Sequence, residues 1–306
     1  MSQQLCIIIP VLNGERFIAE ALTSVESQRS GSVQIVVVDG GSTDSTVAMA
    51  SVFEDVRLEI LAGSSLYEAL NRGIELSDSE IIGFLNSDDL YAPGAIATAL
   101  EALDRNPHAA VVSGGAEVFS NSRSGAQLTL TSYASPQRTA LNLDNVMLGV
   151  PLLNARFYRR ETLKSLGGFD CSYSIAADRD LLIRTVLSAV TEVAVPNLFY
   201  RYRMHGGSIT MSGRHERSLA MARQNMALAR KYMKADRHDS ELCGKAERMY
   251  YDSIATALNA GVRGDHWTDA VSVFLEGAQR ERSGILKIGG AVQRKLRRRM
   301  KKPASI

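Results

Sequence analysis

The stretch Ile81-Ile82-Gly83-Phe84-Leu85-Asn86-Ser87-Asp88-Asp89 begins as an apolar run and ends abruptly in an amide and two carboxylates. The short apolar run predicts an interior strand. Because open α/β sheets bind ligands at the carboxyl ends of their strands, the polar tip falls where a ligand site is expected. Oxygen ligands clustered there suit Mg²⁺ or Mn²⁺ carrying a diphosphate. An alternative is that the tip only caps a helix beginning near Pro93.

Strand and helix patterns alternate on either side of this stretch. Apolar, β-branched runs predict strands, and apolar residues three and four apart predict helices. The predicted strands lie at 5–10, 34–38, 58–61, 81–85, 110–113 and 116–119, and the predicted helices at 15–28, 67–76 and 97–103. The alternation predicts an α/β fold with a mostly parallel central sheet and helices on both faces. Residues 120–135 predict a loop or an exposed hairpin.

The 306 residues, 45% of them hydrophobic, can bury a substantial core. Beyond about residue 212 the strand patterns disappear and long helical patterns follow, so we expect two domains, 1–212 and 213–306. The three cysteines are widely spaced and show neither a metal-ligand nor a disulfide pattern. The sequence shows no signal-peptide pattern and no membrane-spanning run, which makes the cytoplasm the expected location.

The end of the chain is strongly basic. Residues 294–302 carry seven basic side chains and no acidic one, whereas the whole chain has a net charge of only +2. Apolar residues recur there at helical spacing, at Ile285, Ile288, Val292, Leu296 and Met300. This pattern predicts a helix over 285–302 lying on an anionic membrane, at the inner face of the plasma membrane. A solvated basic terminus is the alternative, and no recognised motif supports nucleic-acid binding.

The remaining helical patterns, 215–282, contain Met and Tyr side chains. These suit core packing or a homodimer interface better than a cofactor site.

Asp39 ends the second predicted strand and is followed by Gly40-Gly41-Ser42-Thr43-Asp44. In a nucleotide site, a carboxylate at this point can accept a hydrogen bond from the imide N–H of uracil or thymine, or from ribose hydroxyls. Glycines let a ligand approach the backbone closely. A tight turn alone would explain the glycines but not Asp39. The glycine patterns of dinucleotide-binding and P-loop proteins are absent.

Three motifs in order resemble the family 2 glycosyltransferases. They are Ile7-Ile8-Ile9-Pro10-Val11-Leu12-Asn13-Gly14-Glu15, Val38-Asp39-Gly40-Gly41-Ser42-Thr43-Asp44 and Leu85-Asn86-Ser87-Asp88-Asp89. The resemblance extends to 65–73, 167–170 and 176–181, and it covers residues 5 to about 210. It implies the GT-A fold of inverting enzymes from the branch that assembles polysaccharide and lipopolysaccharide, here with a C-terminal helical appendage.

The resemblance also implies roles for individual residues. The nucleotide-binding residues would be Pro10, Val11, Asn13, Glu15, Asp39, Ser65, Asn71 and Asp88. The cofactor would be Mn²⁺ or Mg²⁺, with Asp88, Asp89 and His205 as its ligands. The neighbours Arg201 and Arg203 indicate that His205 lies in a phosphate-facing loop. Asp178 matches the catalytic base of the family, and capping of the helix that follows is the alternative role for its carboxylate.

Together these features predict an inverting, metal-dependent glycosyltransferase. It would transfer a hexosyl or N-acetylhexosaminyl group from a nucleotide sugar, with UDP as the expected nucleotide, to a saccharide or lipid-linked saccharide acceptor during cell-surface polysaccharide synthesis. Three residues depart from the family pattern, namely Leu12, Asn86 and Asn154. They leave open a catalytically inactive sugar-nucleotide-binding protein that acts through its helical tail. Asp178 argues against that alternative, because a protein that only binds needs no base.

Overall fold

A computed structural model of the protein describes residues 5–28, 33–122, 126–206, 215–235, 239–263, 267–279 and 284–300. The chain divides into two compact units, Met1–Ser208 and Ile209–Ile306. The boundary expected at residue 212 falls within 207–214, outside the described residues.

The first unit is built on one sheet. Its strands are β1 (Leu5–Val11), β2 (Val33–Asp39), β3 (Val56–Ile60), β4 (Ile81–Phe84), β5 (Leu90–Tyr91), β6 (Val111–Asn121), β7 (Gln127–Tyr133), β8 (Arg156–Arg159) and β9 (Glu192–Arg203). They follow the order β3-β2-β1-β4-β8-β6-β9-β5, and β7 pairs with β6. The strands β1 to β4 pair in parallel, as do β6 and β9, and the other pairings are antiparallel.

The helices of the first unit connect these strands. They are α1 (Ile18–Glu26), α2 (Thr46–Ala50), α3 (Leu66–Leu76), α4 (Ala95–Arg105), α5 (Pro136–Thr139), α6 (Arg160–Ser165) and α7 (Ala177–Leu187). A π-helical turn, Asp144–Leu148, and a 3₁₀ turn, Leu153–Ala155, precede β8. The predicted α/β class is confirmed.

One prediction about the strands was wrong. Residues 110–113 and 116–119 form the single strand β6, not two strands. The intervening Gly114 packs beneath an aromatic ring, because a Cβ added there would lie 2.3 Å from the Phe199 ring. The glycine therefore permits close packing and does not break the strand. Residues 120–135 contain β7, which agrees with the exposed-hairpin alternative.

The core explains why the first strand is apolar without alternation. β1 lies between β2 and β4 and is buried at every position. Helix α3 approaches β1 closely, since a Cβ added at Gly73 would lie 2.3 Å from Cγ2 of Ile8. This contact fixes α3 against the centre of the sheet.

The second unit is helical, as expected for the C-terminal appendage. It contains α8 (His215–Ala235), α9 (Ser240–Arg263), α10 (Trp267–Gln279) and α11 (Gly284–Met300). Its buried side chains include Met226, Tyr232 and Met233, which agrees with core packing. No helix in the described part of the chain is both long enough and apolar enough to span a membrane.

Helix α11 uses part of its apolar face inside this unit. Ile288, which the sequence assigned to a membrane-facing stripe, is only 3% exposed. Two basic side chains of α11 also pair within the unit, Lys287 with Glu247 at 2.9 Å and Arg294 with Asp252 at 2.7 Å. Among the described side chains of this helix, the large apolar ones that are exposed are Ile285 and Leu286, at its beginning. The side chains of Leu296 and Met300, assigned to the same stripe, lie outside the described part.

Candidate active site

The loops that follow β1, β2, β3 and β4 meet at one edge of the sheet. The Gly40 N–H donates to the Val11 carbonyl across 2.8 Å, and the Gly63 N–H donates to the Gly40 carbonyl across 2.9 Å. A Cβ added at Gly14 would lie 3.3 Å from the Ser87 hydroxyl, so the loops after β1 and β4 are in contact. Four strand ends therefore surround one site.

The polar tip after β4 belongs to this site and not to the next helix. Helix α4 begins at Ala95, and its N-cap residue, Gly94, has a φ of 79°. No side-chain hydrogen bond caps this helix. The alternative that residues 86–89 serve as a helix cap is therefore wrong.

The predicted nucleotide-binding residues near β1 are of two kinds. Pro10 and Val11 are buried in the strand and pair with β2. Asn13 and Glu15 are exposed in the loop that follows. Pro10 and Val11 thus lie in the buried end of β1, while Asn13 and Glu15 lie at the surface.

Asn13 and Glu15 join the loop after β1 to the loop after β2. The Asn13 side-chain oxygen accepts from the Thr43 N–H at 2.9 Å, and the Asn13 N–H donates to the Ser42 hydroxyl at 2.8 Å. The Glu15 carboxylate accepts from the Ser45 N–H at 3.0 Å. Asn13 has a φ of 51°, the left-handed conformation that asparagine tolerates better than most residues. These two residues therefore shape the site by holding its loops together.

Asp39 is fully buried at the end of β2. One of its carboxylate oxygens, Oδ1, accepts from the N–H groups of Gly41 at 2.8 Å and Ser42 at 2.7 Å. The other oxygen, Oδ2, is buried and has no hydrogen-bond partner among the described residues. An unsatisfied buried carboxylate oxygen is costly, so its presence beside a loop-lined site indicates a ligand that donates a hydrogen bond.

Ser65 and Asn71 use their side chains within the protein. Ser65 is the N-cap of α3 and forms a capping box with Glu68, in which each side chain bonds to the other residue's N–H. The Asn71 amide donates to the Phe169 carbonyl at 2.9 Å and accepts from the Phe169 N–H at 2.8 Å. Both residues therefore order the segments around the site.

Asp88 and His205 come together at the tip of β4. The Asp88 Oδ2 atom lies 2.9 Å from Nε2 of His205, although 117 positions separate the two residues. Both side chains are partly exposed, at 31% for Asp88 and 18% for His205. The His205 ring also contacts the Phe17 ring, with 4.8 Å between their centroids. The structure thus brings together two of the three residues that were predicted to bind the metal.

The side chains of Arg201 and Arg203 form ion pairs within the protein. Arg201 pairs with the Glu117 carboxylate at 2.6 Å. The Arg203 side chain is 2% exposed and pairs with Glu20 at 2.8 Å. Its guanidinium also donates to the Asp88 carbonyl at 2.9 Å and lies against the Phe17 ring. Arg203 therefore supports the Asp88–His205 pair from beneath, a role that the sequence did not reveal.

The Asp89 carboxylate, predicted as a second metal ligand, is directed into the protein. Its Oδ2 accepts from the Asn86 amide at 3.0 Å and from the Tyr200 hydroxyl at 2.9 Å, and its Oδ1 accepts from the Arg203 N–H at 2.7 Å. Burial and then the nearby Asp88 charge raise the pKa of Asp89. Three hydrogen-bond donors of the protein therefore already occupy this carboxylate.

Asn154, where the family pattern has a different residue, joins the same network. It is buried and donates to the Tyr200 hydroxyl at 3.0 Å. Asn154 is therefore part of the buried hydrogen-bond network around Tyr200 and Asp89.

The side chains at the β4 tip fit a divalent cation that carries a diphosphate. Asp88 offers a carboxylate oxygen and His205 an imidazole nitrogen, both of which suit Mn²⁺. Across the described ranges, no group of three or more His, Cys, Asp or Glu side chains is arranged to hold a metal ion. A cation bound here would therefore take further ligands from phosphate oxygens, as Mg²⁺ commonly does in phosphate-binding sites.

Asp178 lies in the first turn of α7. The N-cap residue of α7 is Ala176, so Asp178 is not the cap. Its Oδ1 accepts from the Arg179 N–H at 2.6 Å. Burial raises the pKa of Asp178 to about 6, against the lowering effects of the Arg179 charge, of the hydrogen bond from the Arg179 N–H and of the nearby Tyr67 hydroxyl. A carboxylate with this pKa can accept a proton near neutral pH.

Arg179 attaches the π-helical turn to the start of α7. Its guanidinium donates to the carbonyls of Val146 at 2.6 Å and Met147 at 2.9 Å. Turns of this kind are rare and are often found at functional sites. The sequence gave no signal for this arrangement, because nothing in the spacing of 144–149 and 179 indicates a contact.

The protein resembles known glycosyltransferases in sequence. Residues 6–167 match the family described as Glycosyl transferase family 2. The PGL/p-HBAD biosynthesis glycosyltransferase of Mycobacterium bovis (strain BCG / Pasteur 1173P2) is 30% identical over 186 residues, which cover 58% of this chain and 68% of that protein. An uncharacterized glycosyltransferase of Nostoc sp. is 24% identical over 221 residues, which cover 68% of this chain and 67% of that protein.

Solved structures show that the fold is also shared. The crystal structure of S. aureus TarS 1-349 in complex with UDP aligns with a TM-score of 0.62 at 16% identity, covering 99% of this chain and 93% of that one. The mannosyltransferase PcManGT of Pyrobaculum calidifontis, in complex with GDP-Man and Mn²⁺, aligns with a TM-score of 0.61 at 18% identity, covering 95% and 81%. These likenesses confirm the predicted GT-A fold. Since the family match covers more than half of the chain, the protein belongs to glycosyl transferase family 2 and is a glycosyltransferase.

Proposed function

We propose that this glycosyltransferase takes its sugar from a uridine diphosphate donor and transfers it with inversion at the anomeric carbon. The observation that carries the donor assignment is the unpartnered Oδ2 of buried Asp39. The imide N–H of uracil is a single donor that would satisfy this oxygen. In support, TarS structures hold UDP and UDP-GlcNAc, whereas PcManGT holds GDP-Man and Mn²⁺.

Asp178 would act as the base in the transfer step. As the acceptor hydroxyl attacks the anomeric carbon, the Asp178 carboxylate takes its proton and the bond to the nucleoside diphosphate breaks. A pKa of about 6 leaves most Asp178 side chains ionised at neutral pH. Asp88 and His205 would hold Mn²⁺ or Mg²⁺, which when bound offsets negative charge on the departing diphosphate.

Calorimetric titration with UDP, GDP and dTDP, each with and without Mn²⁺, tests the donor assignment. We expect UDP to bind most tightly, and only in the presence of metal. Asp39→Asn should weaken UDP binding by roughly 10- to 100-fold, because the amide keeps one acceptor but turns an N–H toward the imide. Asp104→Asn, an exposed carboxylate of α4, is the matched control. The assignment would be contradicted if the wild type bound all three nucleotides with equal affinity. It would also be contradicted if Asp39→Asn and Asp104→Asn bound UDP with equal affinity.

The acceptor in this proposal is a saccharide attached to a lipid at a membrane surface. The M. bovis relative is named for the biosynthesis of PGL/p-HBAD, and α11 exposes Ile285 and Leu286 in front of the basic residues 294–302. Such a segment suits the cytoplasmic face of an anionic membrane. Flotation with vesicles of phosphatidylglycerol and of phosphatidylcholine tests this part. Binding to the anionic vesicles alone is expected, and no binding to either would remove the membrane from the proposal.

A further inference from the structure

One side of α3 holds the loop that leads into α7. The Asn71 amide forms two hydrogen bonds with the backbone of Phe169, and its donor nitrogen also lies 3.4 Å from the Cys171 sulfur. One turn earlier on the same helix, the Tyr67 hydroxyl donates to the Ile175 carbonyl at 2.7 Å. These contacts fix both ends of residues 169–175, directly before the residues that start α7.

Aromatic packing connects the same loop to the tip of β4. The rings of Tyr67 and Phe169 stack with centroids 5.4 Å apart, and Phe169 meets the edge of Phe84 at the same distance. Tyr67 and Phe169 are both almost fully buried. Since Phe84 lies just before the polar tip that contains Asp88, one packed group supports the tip and the loop before α7.

The Tyr67 hydroxyl is also a neighbour of the Asp178 carboxylate. This hydroxyl is among the groups that lower the pKa of Asp178, and the Asp178 charge helps to raise the pKa of Tyr67. Among the described residues, the other charged or titratable groups that interact with Asp178 include Arg179 on α7, Tyr158 on β8 and Tyr202 on β9.

We propose that Tyr67 and Asn71 are positioning residues, which fix residues 169–176 and thereby orient the Asp178 carboxylate toward the acceptor hydroxyl. This inference rests on the proposed role of Asp178 as the base. It also gives Asn71 a function that agrees with its contacts better than nucleotide binding does, because both ends of its amide are already bonded to the loop.

Helix α3 is suited to this function by its place in the fold. It begins directly after the loop that follows β3, which borders the donor-side site, and Gly73 packs it against Ile8 at the centre of the sheet. A helix anchored in this way can keep the base at a constant position relative to the donor. Small displacements of a catalytic group have large effects on rate, so such support is functionally important.

Two substitutions remove the hydrogen bonds while keeping the packing. Tyr67→Phe retains the stacked ring and loses only the hydroxyl. Asn71→Asp retains the acceptor for the Phe169 N–H and loses the donor to the Phe169 carbonyl. Tyr250→Phe, at a buried tyrosine of the helical second unit, is the matched control.

Two measurements on the full chain need no substrate. Hydrogen–deuterium exchange of residues 169–176 should become faster in Tyr67→Phe and Asn71→Asp and should not change in Tyr250→Phe. Carboxyl ¹³C NMR, with the Asp178 signal assigned by its loss in Asp178→Asn, should show a higher titration midpoint in Tyr67→Phe. The midpoint should rise because loss of the polar hydroxyl leaves the ionised carboxylate in less polar surroundings.

Measurements with a nucleotide sugar complete the test. In UDP-GlcNAc turnover, we expect kcat to fall by roughly 10- to 100-fold in both variants while the Kd for UDP stays within twofold of the wild-type value. Unchanged loop exchange together with an unchanged Asp178 midpoint would overturn the inference. Weaker UDP binding by Asn71→Asp with normal exchange would also overturn it, in favour of direct nucleotide contact. Failure of wild-type protein to bind any nucleotide would contradict the proposed function instead, since exchange and the midpoint are measured without one.

Discussion

The parallel and the mixed halves of the sheet place their functional side chains in different ways. In the parallel half, the loops after β1 and β2 are joined by hydrogen bonds between residues about 30 positions apart, such as Asn13 and Thr43. In the mixed half, the defining contacts span much longer stretches of chain, 98 positions between Asn71 and Phe169 and 111 between Tyr200 and Asp89. Neighbouring segments therefore join the loops after β1 and β2, whereas contacts between distant segments hold the tip of β4 and the loop before α7.

The two halves also differ in how they use charge. The loops of the parallel half partner carboxylates with backbone N–H groups, both at exposed Glu15 and at buried Asp39. The mixed half partners a buried carboxylate with a guanidinium, since Asp180 is fully buried and lies 2.7 Å from Arg184. Substitutions on the two sides should therefore affect different quantities, with ligand binding changing on one side and turnover or stability on the other.

The largest expected effect is on the transfer rate, and it distinguishes a residue needed for turnover from one needed for nucleotide binding. Asp178→Asn should lower the transfer rate by roughly 10³-fold, because an amide cannot accept the acceptor proton, and it should leave the Kd for the nucleotide unchanged. Asp88→Ala should instead weaken metal-dependent nucleotide binding strongly. Calorimetry and initial rates on the two variants check this contrast. Normal turnover by Asp178→Asn would show that another group is the base.

Much of the fold and part of the site could be predicted from the sequence. The strand pattern was readable because each parallel strand is a short apolar run, and Asp39 and Asp88 stood out because each ends such a run. The inward hydrogen bonding of Asp89 could not be predicted from the sequence, because two of its three donors, Tyr200 and Arg203, come from the distant strand β9. Sequence spacing does not encode contacts of this length. Asp178 was identified only through the family resemblance, for the same reason.

The second prediction concerns the stability of the mixed half. Asp180→Asn should lower the free energy of unfolding by about 3 kcal/mol, because it leaves the Arg184 guanidinium without its buried carboxylate. Glu101→Gln, which breaks the exposed pair with Arg105 on α4, is the matched control and should have almost no effect. Urea denaturation measures both. Equal midpoints for the two variants would show that the buried pair contributes no more than the exposed one.

A third prediction compares one glycine from each half. Gly63, after β3, and Gly168, before α7, both have positive φ values, of 80° and 68°. A Cβ at Gly63 would meet nothing within 4 Å, whereas at Gly168 it would lie 2.5 Å from the Asn71 side-chain oxygen. Alanine should therefore cost about 1 kcal/mol at Gly63, from the backbone conformation alone, and about 2 kcal/mol at Gly168. Thermal unfolding measures which alanine substitution lowers stability more. A smaller loss of stability at Gly168 than at Gly63 would show that the Asn71 side chain moves aside at little cost.

The smallest expected effect is a gain in stability on the base side. Because the pKa of Asp178 is about 6 in the folded protein and lower in the unfolded chain, the folded state binds the proton more tightly. Stability is therefore lost as pH rises from about 4 to about 6, when the partly buried carboxyl ionises. Asp178→Asn removes this loss and should be more stable than wild type at pH 7 by about 1 kcal/mol, a value reduced for solvent screening.

At pH 4 the stabilities of Asp178→Asn and wild type should converge, because both then carry a neutral side chain at this position. Asp104→Asn, at an exposed carboxylate, should show no such dependence on pH. Urea denaturation at the two pH values measures the differences. A stability difference between wild type and Asp178→Asn that stays constant between pH 4 and pH 7 would mean that the folded protein does not hold the Asp178 proton more tightly.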